Sequence, residues 1–226
     1  MRGRVGFATI LDKYEHKSAG WTARFKCGTK QALAEKYRNE IVMLALCRLA
    51  LRYAALEELP TMHPVRMCKL GLMDPRELTI KGEPHKASKR DRKAWRLIWI
   101  ASLVDCVTQA LLHHRQNKSD IFEYSIGESK GSLAGMGHAD DNLDHLARVL
   151  RNAFNTGKIV TSDATAWDLS VTRDDILADC DRRIESLDIP FTDPCRPVVV
   201  ALLRAECWCN SAHVLQAGSQ VLFQVQ

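Results

Sequence analysis

The sequence has no apolar run long enough to cross a membrane. Its longest apolar stretch, Ile41 to Leu56, is interrupted by Arg48 and Arg52, and a spanning helix needs about 20 mostly apolar residues. The stretch therefore reads as a buried helix of a soluble domain. No secretory leader is visible either: Arg2 and Arg4 are followed by no apolar core or cleavage site. Internal repeats and low-complexity tracts are absent, which excludes solenoid and linker architectures. Close-spaced cysteines are scarce. Of the 8 cysteines only Cys207 and Cys209 are neighbours in a Cys-x-Cys arrangement, too little for a zinc site. The cysteines read as free thiols, packed as small hydrophobes in a reducing compartment. Strong charge bias is also missing. A net charge of +5 is only mildly basic, so local clustering says more about partners than the total does.

What is present is an ordinary globular composition. The 226 residues are 46% hydrophobic and 26% charged, enough for one large domain or two small ones. Residues 1–28 carry glycines and turn signals. Thr29 is placed to cap a helix running from Lys30 to Leu59, which Pro60 and Pro64 end. Residues 76–83 and 95–100 read as extended segments, and Ser102 opens a helix to about His114. A long connection over 117–137 leads to a helix over about 140–154. Residues 158–165 read as a buried strand. Thr172-x-x-Asp175 is a capping-box pattern opening a helix to about Leu187, and Asp193-Pro194 opens another to about Cys209. Residues 213–216 and 220–226 flank a Gly-Ser turn and predict a hairpin. The pattern is α+β and helix-rich. The last strand carries no cap or polar tail, so the natural polypeptide is expected to continue beyond Gln226.

Two segments carry chemistry. The first is the run from Lys81 to Arg96, KGEPHKASKRDRKAWR. Lys81, Lys86, Lys89, Arg90, Arg92, Lys93 and Arg96 are opposed only by Glu83 and Asp91. Such density needs either full solvation or a nearby polyanion. Apolar extended flanks would present the loop from a rigid base, and guanidinium forks match phosphate oxygens. The second is KIVTSDATAWDLSV, an apolar strand leading into Asp163 and Asp168. A carboxylate at a strand end suits Mg²⁺, which is held by one or two carboxylates plus substrate phosphates. Asp168 also fits a plain turn residue. Ala139-Asp140-Asp141 reads as helix-start acids, and His113, His114 and His138 lack a convergent ligand set.

The order of these segments resembles the RNA-dependent RNA polymerases of the sobemovirus, barnavirus and luteovirus-like group. KGEPHK, a basic loop and RLIWIASLVDCV are similar to the group's motif F, spanning 81–98, and Asp163 to Asp168 are similar to palm motif A. LDKYEHKSAGW, Gly135-Met136-Gly137 and the terminal hairpin match the group more weakly, with Ala19 where the family has proline. The resemblance implies a partial right-hand polymerase, with fingers over 1–157 and the start of the palm over 158–226. It implies that Asp163, assisted by the Ala164 carbonyl, holds Mg²⁺ or Mn²⁺, and that Asp168 recognises the ribose 2′-hydroxyl. Lys81, Lys86, Lys89, Arg90, Arg92, Lys93 and Arg96 would face the nucleoside triphosphate and the RNA backbone. Chemistry would follow the two-metal mechanism of nucleotidyl transfer. The implied partners are template and product RNA, nucleoside triphosphates and the remainder of the palm and thumb. The implied location is a replication complex in the host cytoplasm.

Two motifs of that family do not occur here. No Ser-Gly-x3-Thr/Asn follows residue 168, and no Gly-Asp-Asp occurs anywhere. Motifs B and C are therefore outside these 226 residues, and the chain alone is expected to be inactive in RNA synthesis. A non-catalytic RNA-binding protein using the same basic loop is the alternative reading.

Overall fold

The computed structural model describes residues 18–20, 27–81, 96–125, 147–148, 151, 154–155, 157, 171–217 and 220–225, and every structural statement below concerns those residues. The chain divides into two compact units, Met1–Leu112 with Thr172–Gln226, and His113–Val171. That division follows packing. The motif-based boundary at residue 158 remains an expectation.

In the first unit the order is helix α1 (Lys30–Ala54), a 3-10 turn (Leu59–Thr61), helix α2 (Pro64–Lys69) and strands β1 (Glu77–Lys81) and β2 (Arg96–Ile100). Helix α3 (Leu103–Ser125) begins in this unit and runs into the other. Helices α4 (Arg173–Glu185) and α5 (Arg196–Asn210) follow, then strands β3 (Ala212–Ala217) and β4 (Gln220–Val225). The strands form two separate antiparallel pairs, β1 with β2 and β3 with β4. Helices joined to small antiparallel pairs make the class α+β, as the sequence suggests.

Local chemistry explains most of the helix starts. Thr29 is extended and its side chain accepts from the Ala32 N–H at 3.1 Å. Thr172 and Asp175 form a reciprocal capping box. The Thr172 hydroxyl accepts from the Asp175 N–H at 3.3 Å, and the Thr172 N–H donates to Asp175 Oδ2 at 2.7 Å, which satisfies two orphan donors. The expected start at Asp193-Pro194 shifts. Asp193 Oδ1 accepts from the Cys195 N–H at 2.8 Å in a preceding turn, and α5 begins at Arg196 with Pro197 in its first turn.

Three other expectations change. Helix α1 ends at Ala54, before either proline. Pro60 lies in the first turn of the 3-10 segment and Pro64 in that of α2. Proline lacks an N–H that a first helical turn does not need, so here it starts elements. Helix α3 continues to Ser125 instead of ending near His114. The long apolar stretch is also not a uniformly buried helix. Ile41, Ala45, Arg48 and Arg52 face inward, while Met43, Leu46, Leu51 and Tyr53 are exposed. Of the expected helix over 140–154, Ala147, Arg148, Arg151 and Phe154 are helical. The strand expected at 158–165 lies outside the described residues.

Apolar packing falls into three clusters. Leu33, Ile41 and Ala45 of α1 meet Leu103, Val104 and Val107 of α3, with Ala19 beside them. Leu59, Met62, Met67, Leu72 and Met73 pack on Ala205, Cys209 and Val214. Cys180 of α4 meets Leu203 and Cys207 of α5. All eight cysteines are free, and Cys106, Cys180, Cys207 and Cys209 are buried while Cys47 and Cys195 are exposed.

Candidate nucleic-acid interface

The two ends of the basic run lie in a paired stem. Strands β1 and β2 pair in antiparallel register from Glu77 opposite Ile100 to Lys81 opposite Arg96. The first and last cations of the run are thus ladder partners at one end of the stem. Directly opposed residues in an antiparallel pair lie about 4.5–5.5 Å apart at Cα. Lys86, Lys89, Arg90, Arg92 and Lys93 lie between them, in residues 82–95, outside the described residues.

The other end of the stem is rooted in buried charge. Three residues before β1 stands Asp74, and after β2 come Ala101, Ser102 and then α3, which carries Asp105. Arg48 of α1 reaches both acids: Nη1 donates to Asp105 Oδ1 at 2.6 Å, and Nη2 lies 2.9 Å from Asp74 Oδ1. The Ser102 hydroxyl donates to Asp74 Oδ2 at 2.7 Å and accepts from the Asp105 N–H at 3.1 Å. The Asp74 N–H donates to Asp105 Oδ2 at 3.1 Å. The two chain segments that leave the stem are therefore tied to each other and to α1.

One turn further along α1, Arg52 extends the cluster. Its Nη1 is paired with Glu206 of α5, its Nη2 lies 3.5 Å from Asp105 Oδ1, and its Nε donates to the Leu72 carbonyl at 2.7 Å. Arg48 Nε donates likewise to the Gly71 carbonyl at 3.0 Å. These carbonyls are presented by the end of α2. The Leu72 N–H bonds the Met67 carbonyl and the Gly71 N–H that of Cys68, with Gly71 at φ +77°. This is a Schellman ending, in which the left-handed residue favours glycine.

Five charged side chains share this site, each between 1% and 5% exposed. Burial opposes the charge on Arg48, but Asp105 and Asp74 outweigh it and hold the guanidinium above its ordinary range. Arg52 behaves in the same way, with Glu206 as its main support. Two guanidinium groups face three carboxylates. Full burial pushes the Glu206 carboxyl above the ordinary carboxylate range, with Arg52 pulling it back. Glu206 Oε1 also accepts from Asn210 Nδ2 at 2.8 Å.

Two further contacts fix the root. The Arg76 N–H donates to the Val214 carbonyl of β3 at 2.7 Å, and its Nη2 to Asn210 Oδ1 at 3.3 Å. Gly20, at φ +71°, presses on the chain just past β2. A Cβ there would lie 2.6 Å from the Ala101 carbonyl oxygen, a distance real Cβ atoms essentially never show. Gly20 thus buttresses the stem, and Ala19 beside it packs in the core.

Of the candidate residues, then, Lys81 and Arg96 are brought together by strand register. Asp163, Ala164 and Asp168 lie outside the described residues. Among the described residues no group of three or more His, Cys, Asp or Glu side chains is arranged to hold a metal. No helix among them is long and apolar enough to cross a membrane. The buried cluster does not stand out in the sequence. Its one signal is that Ile41, Ala45, Arg48 and Arg52 share one helical face at steps of four, three and four.

Comparison with known proteins gives the class. No family model matches the chain, and no solved structure matches it. The replicase polyprotein P2AB of Southern cowpea mosaic virus is 30% identical over 172 residues, 76% of this chain and 17% of that protein. Protein P2-P3 of Poinsettia latent virus is 36% identical over 119 residues, 50% of this chain and 11% of that protein. An RNA-directed RNA polymerase of Mushroom bacilliform virus is 31% identical over 126 residues, 56% of this chain and 29% of that protein. The chain is therefore a viral replicase-related sequence. More narrowly, it belongs with the polymerase-related sequences of the sobemovirus, barnavirus and luteovirus-like viruses. It spans less than a third of the length of each of these three relatives.

Proposed function

We propose that this chain is the fingers and first palm motif of an RNA-directed RNA polymerase, the part that gathers the triphosphate and the RNA backbone. The observation that carries the reading is the strand register that sets Lys81, the first cation of the basic run, opposite Arg96, the last. Sequence similarity to an RNA-directed RNA polymerase and to replicase polyproteins supports it. Seven cations in one loop bind phosphate by charge and, for the arginines, by paired N–H donors. Such a loop lowers the cost of bringing a triphosphate to an RNA end, which is mostly positioning and electrostatics.

Asp163, with the Ala164 carbonyl, is the proposed metal holder, and Asp168 the proposed reader of the ribose 2′-hydroxyl. When bound there, Mg²⁺ or Mn²⁺ would supply activation of the 3′-hydroxyl and stabilisation of the pyrophosphate leaving group. The protein's own contribution is to hold the triphosphate with the loop and the ribose with Asp168. RNA template, RNA product and the rest of the palm and thumb complete the proposed set of partners. The proposed place of action is a replication complex in the host cytoplasm.

The test compares RNA binding by the purified chain and two variants over a range of salt. The Lys81→Ala/Arg96→Ala variant is expected to bind more weakly, with a shallower salt slope. The chain alone is expected to incorporate no nucleotide. Unchanged RNA affinity in the double variant would remove the loop from the binding site. Asp163→Ala separates the readings when a triphosphate and Mn²⁺ are added: a polymerase segment loses metal-dependent binding, whereas a plain RNA-binding module is indifferent.

A further inference from the structure

We infer that the buried cluster of Arg48, Asp74, Ser102 and Asp105 is a positioning device for the β1–β2 stem, fixing the direction in which the stem holds its far end, where Lys81 and Arg96 pair. The inference rests on the proposed reading of the basic loop as a phosphate-binding element. It gives Arg48, Asp74, Ser102 and Asp105 a role that the motif reading does not assign them.

A two-stranded antiparallel pair is marginal alone, so its orientation has to come from what holds its ends. Here the ends are Asp74-Pro75-Arg76 before β1 and Ala101-Ser102 after β2. Asp74 and Ser102 are hydrogen-bonded to each other at 2.7 Å, and the guanidinium of Arg48 holds both Asp74 and Asp105. The Asp74 N–H and the Asp105 N–H are consumed inside the same cluster. Gly20 closes on Ala101 from one side, and Arg76 is bonded to β3 and α5 on another. All these groups converge on the short connections that enter and leave the stem.

The energetics point the same way. Buried ion pairs contribute little net stability compared with well-packed apolar residues of the same volume. What they supply is direction, because planar guanidinium and carboxylate groups accept only a few geometries. Arg48 uses its Nε and both terminal nitrogens on three different segments: the α2 ending, the segment before β1 and the start of α3. An apolar side chain at position 48 could fill the space and fix none of these.

The test uses the full chain with Asp74→Asn, and with Ser102→Ala as a milder change should Asp74→Asn fail to fold. Ser102→Thr keeps the hydroxyl and serves as the rescue. Leu203→Ala, in the third apolar cluster, is a control for plain loss of stability. Two quantities are read well below each unfolding midpoint: amide exchange over 77–81 and 96–100, and affinity for a single-stranded RNA oligonucleotide. The expected result is faster exchange confined to the stem and RNA affinity about tenfold weaker in Asp74→Asn and Ser102→Ala, the equivalent of one charge-assisted hydrogen bond. Ser102→Thr restores both, and Leu203→Ala changes neither. Stem exchange and affinity no more altered in Asp74→Asn and Ser102→Ala than in Leu203→Ala overturn the inference. Failure of the underlying reading has a different signature. There Lys81→Ala/Arg96→Ala binds RNA as well as the unaltered chain, whatever the exchange data show for the anchor.

Discussion

The two charged regions of this chain use the same residue types to opposite ends. Between Lys81 and Arg96, seven cations stand together in sequence against two acids. In the buried cluster, Arg48 and Arg52 meet acids drawn from three other places, Asp74, Asp105 and Glu206. The first has few acids near it in sequence, and the proposed function gives it a phosphate-bearing partner. The second carries its own counter-charge and uses it to hold segments together. What a cation does here is decided by the number and distance of its acids, and density along the sequence reveals only the first kind.

The sharpest way to break the comparison is to strand one buried charge. Arg52→Ala leaves Glu206 buried without its guanidinium partner, and should cost about 3–5 kcal/mol of stability in denaturant unfolding. The double change Arg52→Met/Glu206→Leu should recover most of that loss. In the basic loop the same operation should act on binding and leave stability alone. Lys81→Ala/Arg96→Ala should keep its unfolding midpoint while its RNA salt slope falls by about 0.7 for each phosphate it no longer neutralises. A large drop in stability from that pair would mean its cations are structural after all.

Smaller effects sharpen the same contrast on α1. Leu46→Gln, on the exposed face, should change stability by no more than about 0.5 kcal/mol. Ala45→Gln, at a position 0% exposed, should destabilise several-fold more. The smallest effect belongs to the capping box. Hydrogen bonds from the Thr172 N–H and hydroxyl hold the Asp175 carboxyl below its ordinary range. A depressed folded value means the contribution is complete above about pH 4, the unfolded carboxylate value, and fades as pH falls through the folded one. The difference in melting temperature between the unaltered chain and Asp175→Asn should therefore shrink on acidification.

Local signals are legible in the sequence. Thr29, the Thr172–Asp175 box, the β1–β2 stem and the 213–225 hairpin can be found because their chemistry lies within a few residues. So can the basic loop and the similarity to viral replicases. The end of α1 is harder to place, because a proline reads as a terminator and here begins the next element. The buried face of α1 is hidden for a deeper reason. Arg48 and Arg52 look like interruptions of an apolar run until their acids, 26 to 154 residues away in the chain, are brought alongside. No local pattern carries that information.

The central claim is that the chain gathers a nucleoside triphosphate with the basic loop and a metal with Asp163. Binding of a fluorescent ribonucleoside triphosphate, with and without Mn²⁺, tests it most directly. The account predicts that Mn²⁺ tightens binding to the unaltered chain, that Asp163→Ala abolishes this tightening, and that Lys81→Ala/Arg96→Ala weakens binding in both conditions. Binding to Asp163→Ala that responds to Mn²⁺ as the unaltered chain does would contradict it and leave a non-catalytic RNA-binding module.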